Sequence, residues 1–296
     1  MSAVDDFEVH RQLLFGIAYR MLGSAADAED VLQEAQLRWN AARGAPGPDR
    51  APDAADAPDT PDIRNPRAYL VTIVSRLCLD QLKSARARRE VYVGPWLPEP
   101  LVTTEPVDPS TISSAFLLLL ERLAPAERAA FLLHEVFEYE YGEIARILAR
   151  SEEACRQLTS RARRHVHEAR PRPPASREEH TRLLAAFALA CQTGDLAGLE
   201  RLLAADVTLH SDGGGRVNAA RNVLHGPDHV ARFLLGVRRF YAQSAFDVRP
   251  MELNGLPGLV VVADGKVYST LVIEVIDGLV HSVHAVLNPE KLTHVH

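Results

Sequence analysis

The chain has 296 residues, 47% of them hydrophobic, and a net charge of −6. That length is more than one compact helical module needs and suggests two or three domains, each able to bury a core. No apolar run is long enough for a membrane span, and the start, MSAVDDFEVH, is acidic where a signal peptide would be basic and then hydrophobic, so a soluble cytoplasmic protein with no membrane partner is expected.

The three cysteines, Cys78, Cys155 and Cys191, are far apart and each sits in a helical pattern. Neither a disulfide framework nor a zinc site is indicated, and no metal or cofactor is expected. The net negative charge hides segregation: cations concentrate in 64–89 and 150–170, acids in 27–34 and 49–62. Two basic helical blocks in an acidic chain read as two local contact surfaces.

In chain order, Leu13, Leu14, Ile17, Ala18 and Met21 give a helical spacing that Gly23 ends. Ser24 opens a second helix whose apolar stripe is Ala28, Val31, Leu32 and Ala35, leaving Asp27, Asp30, Gln33 and Glu34 on an acidic face. Residues 41–62 are rich in Ala, Pro, Asp and Gly without periodicity and read as a flexible loop. Asn65 and Pro66 then start a long amphipathic helix to about Arg89, with Arg67, Arg76, Asp80, Lys83 and Arg86 off its apolar stripe.

The stretch Tyr92 to Pro109 is proline-rich and reads as an extended linker carrying a stiff apolar knob, Trp96 and Leu97, suited to docking in a groove. Helices follow at 112–123 and from Pro125 through Val136. The run YGEIARILARSEEACRQLTSRARRHVH at 141–167 has the pattern of a helix-turn-helix. Ser151 caps its second helix, Ala154, Leu158 and Ala162 turn inward, and Arg156, Ser160, Arg163, Arg164 and His167 form a cationic, hydrogen-bonding face suited to phosphates and base edges.

After RPRPPAS the texture changes. A helix at 178–193 and a short helix are followed by β-rich runs punctuated by Asp264-Gly265 and Asp277-Gly278, strong hairpin turns. The expectation is an α+β domain with a curved antiparallel sheet. His210, Asp212, His225, Asp228 and His229 are its candidate acid and base groups, and Gly213 to Gly215 read as a flexible loop. His281 and His284, three apart on a strand, face opposite sides and make a poor metal pair. His294 and His296 fall in a tail expected to be free.

Taken together, DAEDVLQEAQLRW (27–39), NPRAYLVTIVSRLCLDQLKSARARRE (65–90) and LAPAERAAFLLHEVFEYEYGEIARILARS (123–151) resemble an extracytoplasmic-function sigma factor of bacterial RNA polymerase. The last third resembles a SnoaL-like, NTF2-type cone, and WLPEP (96–100), DGGGR (212–216) and NPEKL (288–292) point to the subgroup in which that cone is fused to the sigma core. The implied fold is multidomain: two all-α sigma domains, the second with the helix-turn-helix, plus an α+β cone. The boundaries expected are 1–91, a linker at 92–111, 112–170, a linker at 171–176, and 177–296.

The resemblance implies partners and sites. Asp27, Asp30, Gln33 and Glu34 would grip core RNA polymerase. Arg67, Arg76, Asp80, Lys83 and Arg86 would meet melted DNA at the minus-ten region of the promoter. Arg156, Gln157, Ser160, Arg161, Arg163 and Arg164 would read double-stranded DNA at minus thirty-five. Trp96, Leu97, Pro98, Asp212, Gly213, Gly214, Gly215, Asn288, Pro289 and Lys291 would be regulatory contacts of the fused domain, and the cone could take an unknown small ligand. Two other classes stay open on the sequence: a stand-alone regulator whose cone senses a ligand, and a SnoaL-type cyclase or isomerase depending on Asp212 or His210.

Overall fold

The structure, a computed structural model, describes residues 6–43, 65–89, 92–103, 108–169, 175–240 and 246–295, with the backbone alone at 84–89, 169, 240 and 246. Of the loop expected at 41–62, residues 41 and 42 instead complete the second helix and 44–62 lie outside the described residues, as does most of the linker at 170–176. The chain forms two compact units, Met1–Ala87 with Arg122–Val166, and Arg88–Glu121 with His167–His296.

The first unit begins with a helical hairpin, α1 (Asp6–Leu22) and α2 (Ala25–Ala42). Gly23, at φ +70°, returns its N–H to Tyr19 at 2.7 Å, and the Ser24 hydroxyl accepts from the Asp27 N–H. Helix α3 (Pro66–Arg89) opens with the Asn65 side chain accepting from Ala68 N–H at 3.0 Å. Phe7, Leu14, Ile17, Tyr19, Leu32, Trp39, Leu70 and Val74 are buried across these helices. At about 1.5–3 kcal/mol for each fully buried aliphatic side chain, that burial outweighs any single cap.

Helix α5 (Pro125–Phe131) runs into a π-helical turn, Leu132–Val136, in which Phe137 N–H reaches the Leu132 carbonyl. Next come α6 (Tyr141–Leu148) and α7 (Glu152–Ala169), with Ala149 between them in the left-handed region at φ +52°. A residue with a Cβ costs about 1–2 kcal/mol there, and the tight angle of the helix-turn-helix requires it. The buried stripe of α7 is Cys155, Leu158, Thr159 and Ala162, while Ala154 is only half-buried.

The second unit holds α4 (Ser114–Glu121), α8 (Arg177–Thr193), α9 (Leu196–Leu202) and α10 (Pro227–Phe240) with six strands: β1 (Leu203–Asp212), β2 (Leu224–His225), β3 (Phe246–Leu253), β4 (Leu256–Ala263), β5 (Lys266–Ile276) and β6 (Leu279–Val286). The strand order is β2-β1-β6-β5-β4-β3. Three hairpins turn on Asn254-Gly255, Asp264-Gly265 and Asp277-Gly278, each with both residues at positive φ, as a type I′ turn demands.

The sheet is not wholly antiparallel: β1 runs parallel to β6, with His210 opposite His284 and Asp212 opposite Val286. Local patterning reveals hairpins but not the sense of a pairing between strands this far apart in sequence. Helix α10 and strand β3 also have no counterpart in the sequence reading. One face of the sheet packs Val207, Leu209, Ile273 and Val283 against Leu184, Phe187 and Val230 of the helices. The other carries Val260, Val262, Val272 and Val286 with Leu97, Leu292 and Val295. The tail is therefore not free: Leu292 and Val295 are buried.

Candidate nucleic-acid interface and linker clasp

On α2, Asp30 and Gln33 are exposed and Glu34 is half-buried, ion-paired with Arg38 at 2.8 Å. Asp27 is turned inward enough to accept from Gln81 of α3 at 2.8 Å. Leu37 stands 61% exposed, three and four residues beyond Glu34 and Gln33 on the same helical face. Sequence reading missed it, although that spacing and its failure to fit the buried stripe were visible.

Of the candidate minus-ten residues of α3, Arg67, Arg76, Asp80 and Lys83 are exposed, and two of these are engaged within the unit. Arg76 donates to the carbonyls of Ile147 and Arg146, at 3.1 and 3.3 Å, at the C-terminal end of α6. Arg67 lies over the Tyr139 ring at 5.2 Å. Asp80 and Lys83 pair with each other at 2.8 Å, and the Arg86 side chain lies outside the described residues. A third tie is buried: the Arg128 guanidinium, 3% exposed, donates to the Met21 carbonyl at 2.6 Å. Burial pulls its pKa down to about 9.

Every candidate reader on α7 is exposed: Arg156, Gln157, Ser160, Arg161, Arg163 and Arg164. Three are held by carboxylates. Arg156 pairs with Glu152 at 2.8 Å, Arg161 with Glu127 at 3.0 Å, and Arg163 with Glu135. An exposed pair contributes about 0–1 kcal/mol to stability, so these orient side chains more than they hold the fold.

In the second unit the linker is not a free spacer. Asp212, at the end of β1, is fully buried and accepts four hydrogen bonds. Tyr92 hydroxyl at 2.7 Å and Gly214 N–H at 3.0 Å reach Oδ1, while Leu97 N–H at 2.8 Å and the Lys291 ammonium at 2.7 Å reach Oδ2. Lys291 also donates to the Leu97 carbonyl at 2.5 Å and lies 4.3 Å from the Trp96 ring centroid. Asn288 donates to the Tyr92 hydroxyl at 3.0 Å. Burial, then the bond to Asp212, pushes the Tyr92 phenol well above its ordinary pKa.

The three segments expected to make regulatory contacts thus meet at one carboxylate. Leu97 and Pro98 are the buried part of the knob, with Trp96 half-buried on the Lys291 ammonium. Gly213 to Gly215 are not a loose loop: a Cβ on Gly214, at φ +59°, would come within 2.4 Å of Asn288 Nδ2, and one on Gly213 within 2.7 Å of the Val217 carbonyl. Pro289 is exposed. Farther along, Asn254 accepts from Leu101 N–H at 3.1 Å and donates to the Ile112 carbonyl at 3.2 Å, and Thr103 N–H reaches the Glu252 carbonyl at 3.0 Å. The linker adds itself to the edge of β3 as a short strand. Tyr92 and Asn254 belong to this clasp and were missed, the Asn-Gly pair at 254–255 being the available signal for the latter; Glu99, 2% exposed, lies 3.6 Å from the His294 ring of the tail.

Of the candidate acid and base groups, His210 and His284 meet edge to face with ring centroids 5.4 Å apart. Burial lowers both, His284 to about 3. His225, Asp228 and His229 are exposed. A cavity of about 330 Å³ is lined by Ser113, Ser114, His180, Glu274 and His284 among others. No group of three or more metal-ligating side chains assembles among the described residues, and no helix of the described residues is long and apolar enough to cross a membrane.

Residues 7–88 match the family model of sigma-70 region 2, and residues 113–166 that of sigma-70, region 4. The ECF RNA polymerase sigma factor SigJ of Mycobacterium tuberculosis is 40% identical over 318 residues, covering 98% of this chain and 93% of SigJ. The chain belongs to the ECF RNA polymerase sigma factors. A second relative of this sigma factor, the probable ECF RNA polymerase sigma factor SigI of the same species, is 31% identical and covers 97% of the chain and 93% of SigI. The crystal structure of M. tuberculosis SigJ is similar over 99% of both chains, at 35% identity and a TM-score of 0.71, so the likeness takes in the C-terminal α+β domain as well as the two sigma domains. The region 4 match of this sigma factor begins at 113 and so includes α4, which packs in the second compact unit.

Proposed function

We propose that this sigma factor brings core RNA polymerase to promoters through two DNA-contacting surfaces, and that its C-terminal domain governs them by clasping the linker between them. Asp30, Gln33, Glu34 and Leu37 form the polymerase-facing patch, with Asp27 serving to brace α2 on α3. Arg67, Arg76, Lys83 and Arg86 meet the melted strand, where cations and stacking hold single-stranded DNA; Asp80 tempers Lys83. The exposed face of α7 reads the upstream duplex. The site of action is the cytoplasm, where the polymerase works.

The observation that carries the regulatory part is Asp212, a buried carboxylate whose four donors come from the linker, the glycine loop and the tail. A saturated carboxylate has no lone pair left for acid–base work, so Asp212 serves as a clasp and not as a general acid or base. Arg76 and Arg67, engaged at α6 and Tyr139, are to be freed before the promoter is opened. Run-off transcription with purified core polymerase tests the reading, comparing the full chain with versions ending after Arg170 or before Asn288. Absence of a promoter-dependent transcript from all three would refute it. Equal output from all three would refute the regulatory part. A stand-alone ligand-sensing regulator is disfavoured, because it would need neither α2's acidic patch nor the basic end of α3.

A further inference from the structure

The arginines of α7 are not loose. Tyr141, the first residue of α6, sits at their centre. Its ring packs against His134, tilted by 30° at 4.2 Å between centroids, and the Arg156 guanidinium lies 5.2 Å from the ring centroid. Arg163 is paired with Glu135. Glu152 completes the arrangement by holding Arg156 Nη2 at 2.8 Å. Glu152 Oε1 passes close to Gly142, where a Cβ would stand 3.2 Å away.

An arginine on an exposed helix face is flexible, and binding a base edge costs the ordering of that side chain, about 0.5–1.5 kcal/mol. A cation–π contact with a ring that is itself packed confines the guanidinium to one side of α7. One carboxylate oxygen restrains its rotation while using only one of its five N–H donors. Arg156 is exposed and its other donors stay available, and a guanidinium fork is the geometry that guanine O6 and N7 accept. The opposing effect is charge: a carboxylate beside a cation weakens attraction to phosphate. These two roles predict different results for the same substitution.

We propose that Tyr141 and Glu152 are specificity-determining positioning residues, which pre-orient Arg156 for base recognition by the helix-turn-helix. The proposal rests on the reading that α7 meets the promoter duplex. The full chain, assembled with core RNA polymerase, is offered a pool of promoter duplexes with a randomised upstream element, and the bound fraction is sequenced. Arg156→Ala should erase base preference at one or two positions. Glu152→Gln should weaken preference at those same positions by about 3- to 10-fold, the ordering cost returned, with binding to a scrambled duplex changed less than about twofold. Tyr141→Phe, which keeps the ring, should retain the preference that Tyr141→Leu loses.

If Glu152→Gln instead tightens binding to every duplex alike and leaves the preference intact, Glu152 is a charge brake and the proposal is overturned. If Arg156→Ala leaves the preference unchanged, the proposal falls together with the reading beneath it. Glu152 and Arg156 are both exposed, so these two variants fold and decide the matter even where Tyr141→Leu does not fold.

Discussion

Replacing Asp212 by Asn changes one oxygen to an NH₂ group at the point where linker, glycine loop and tail converge. In one orientation the amide oxygen takes the place of Oδ1 and keeps Tyr92 and Gly214, but its NH₂ then faces the Leu97 N–H and the Lys291 ammonium, donor against donor. The flipped orientation keeps those two and opposes the others. Either way a Lys291 side chain only 11% exposed loses its counter-ion. Breaking a buried pair from one side costs about 3–5 kcal/mol. Lys291 retains the Leu97 carbonyl and the Trp96 ring, so we expect a value near the lower end, about 3 kcal/mol. That is about two powers of ten in the ratio of docked to undocked linker.

Chymotrypsin reads this directly, because Tyr92 and Trp96 become cleavable only when the linker leaves the sheet. Cleavage should accelerate by about a hundredfold if it follows the open population, with the far-UV dichroism unchanged. A rate within about threefold of the parent, again on the scale of the open population, would refute the assignment of Asp212 as the clasp.

Asn254→Ala removes an acceptor for Leu101 and a donor to Ile112 and puts alanine, which tolerates the left-handed region less well than asparagine, at φ +53°; a loss of about 1–3 kcal/mol is expected in urea unfolding of the second unit. Gly214→Ala should destabilise the same unit, since its methyl group would stand 2.6 Å from Asn288 Cγ at a backbone conformation alanine resists. Acid should also loosen this unit. His284 is held neutral down to about 3, so below its ordinary 6.5 the unfolded chain takes a proton that the folded chain refuses. Stability therefore falls as pH drops from 6.5 toward 3, by about 2 kcal/mol at pH 5 from His284 alone. His210 and His180 shift in the same direction, and an unfolding midpoint flat across that range would contradict the assignment. Arg128→Met should weaken the first unit, because the Met21 carbonyl loses a buried donor; thermal melting of the full-length variant beside the parent would register it.

Helix starts and stops were legible because they depend on neighbours in sequence. Gly23, Ser24, Asn65 and Ser151 mark boundaries with their own backbone or side-chain bonds. The cationic face of α7 followed from its period, and the type I′ turns from Asp-Gly pairs. The exposed candidates on α2, α3 and α7 lie on the faces their spacing predicted. Helix α10 was not read, and β3 carries Pro250 within the strand, a residue that argues against a strand in a sequence but is tolerated at a sheet edge.

What the sequence determined by itself is the order of the modules and the kind of surface each presents, because periodicity, caps and local charge act over a few residues. Tertiary structure alone decided the parallel pairing of β1 with β6, the burial of the tail, and the use of Arg67 and Arg76 within the first unit. It alone decided that Asp212, first seen beside a run of glycines, is a buried anion with donors up to 120 residues away. A carboxylate's role is fixed by the donors that surround it, and those donors come from segments that no sequence window contains together.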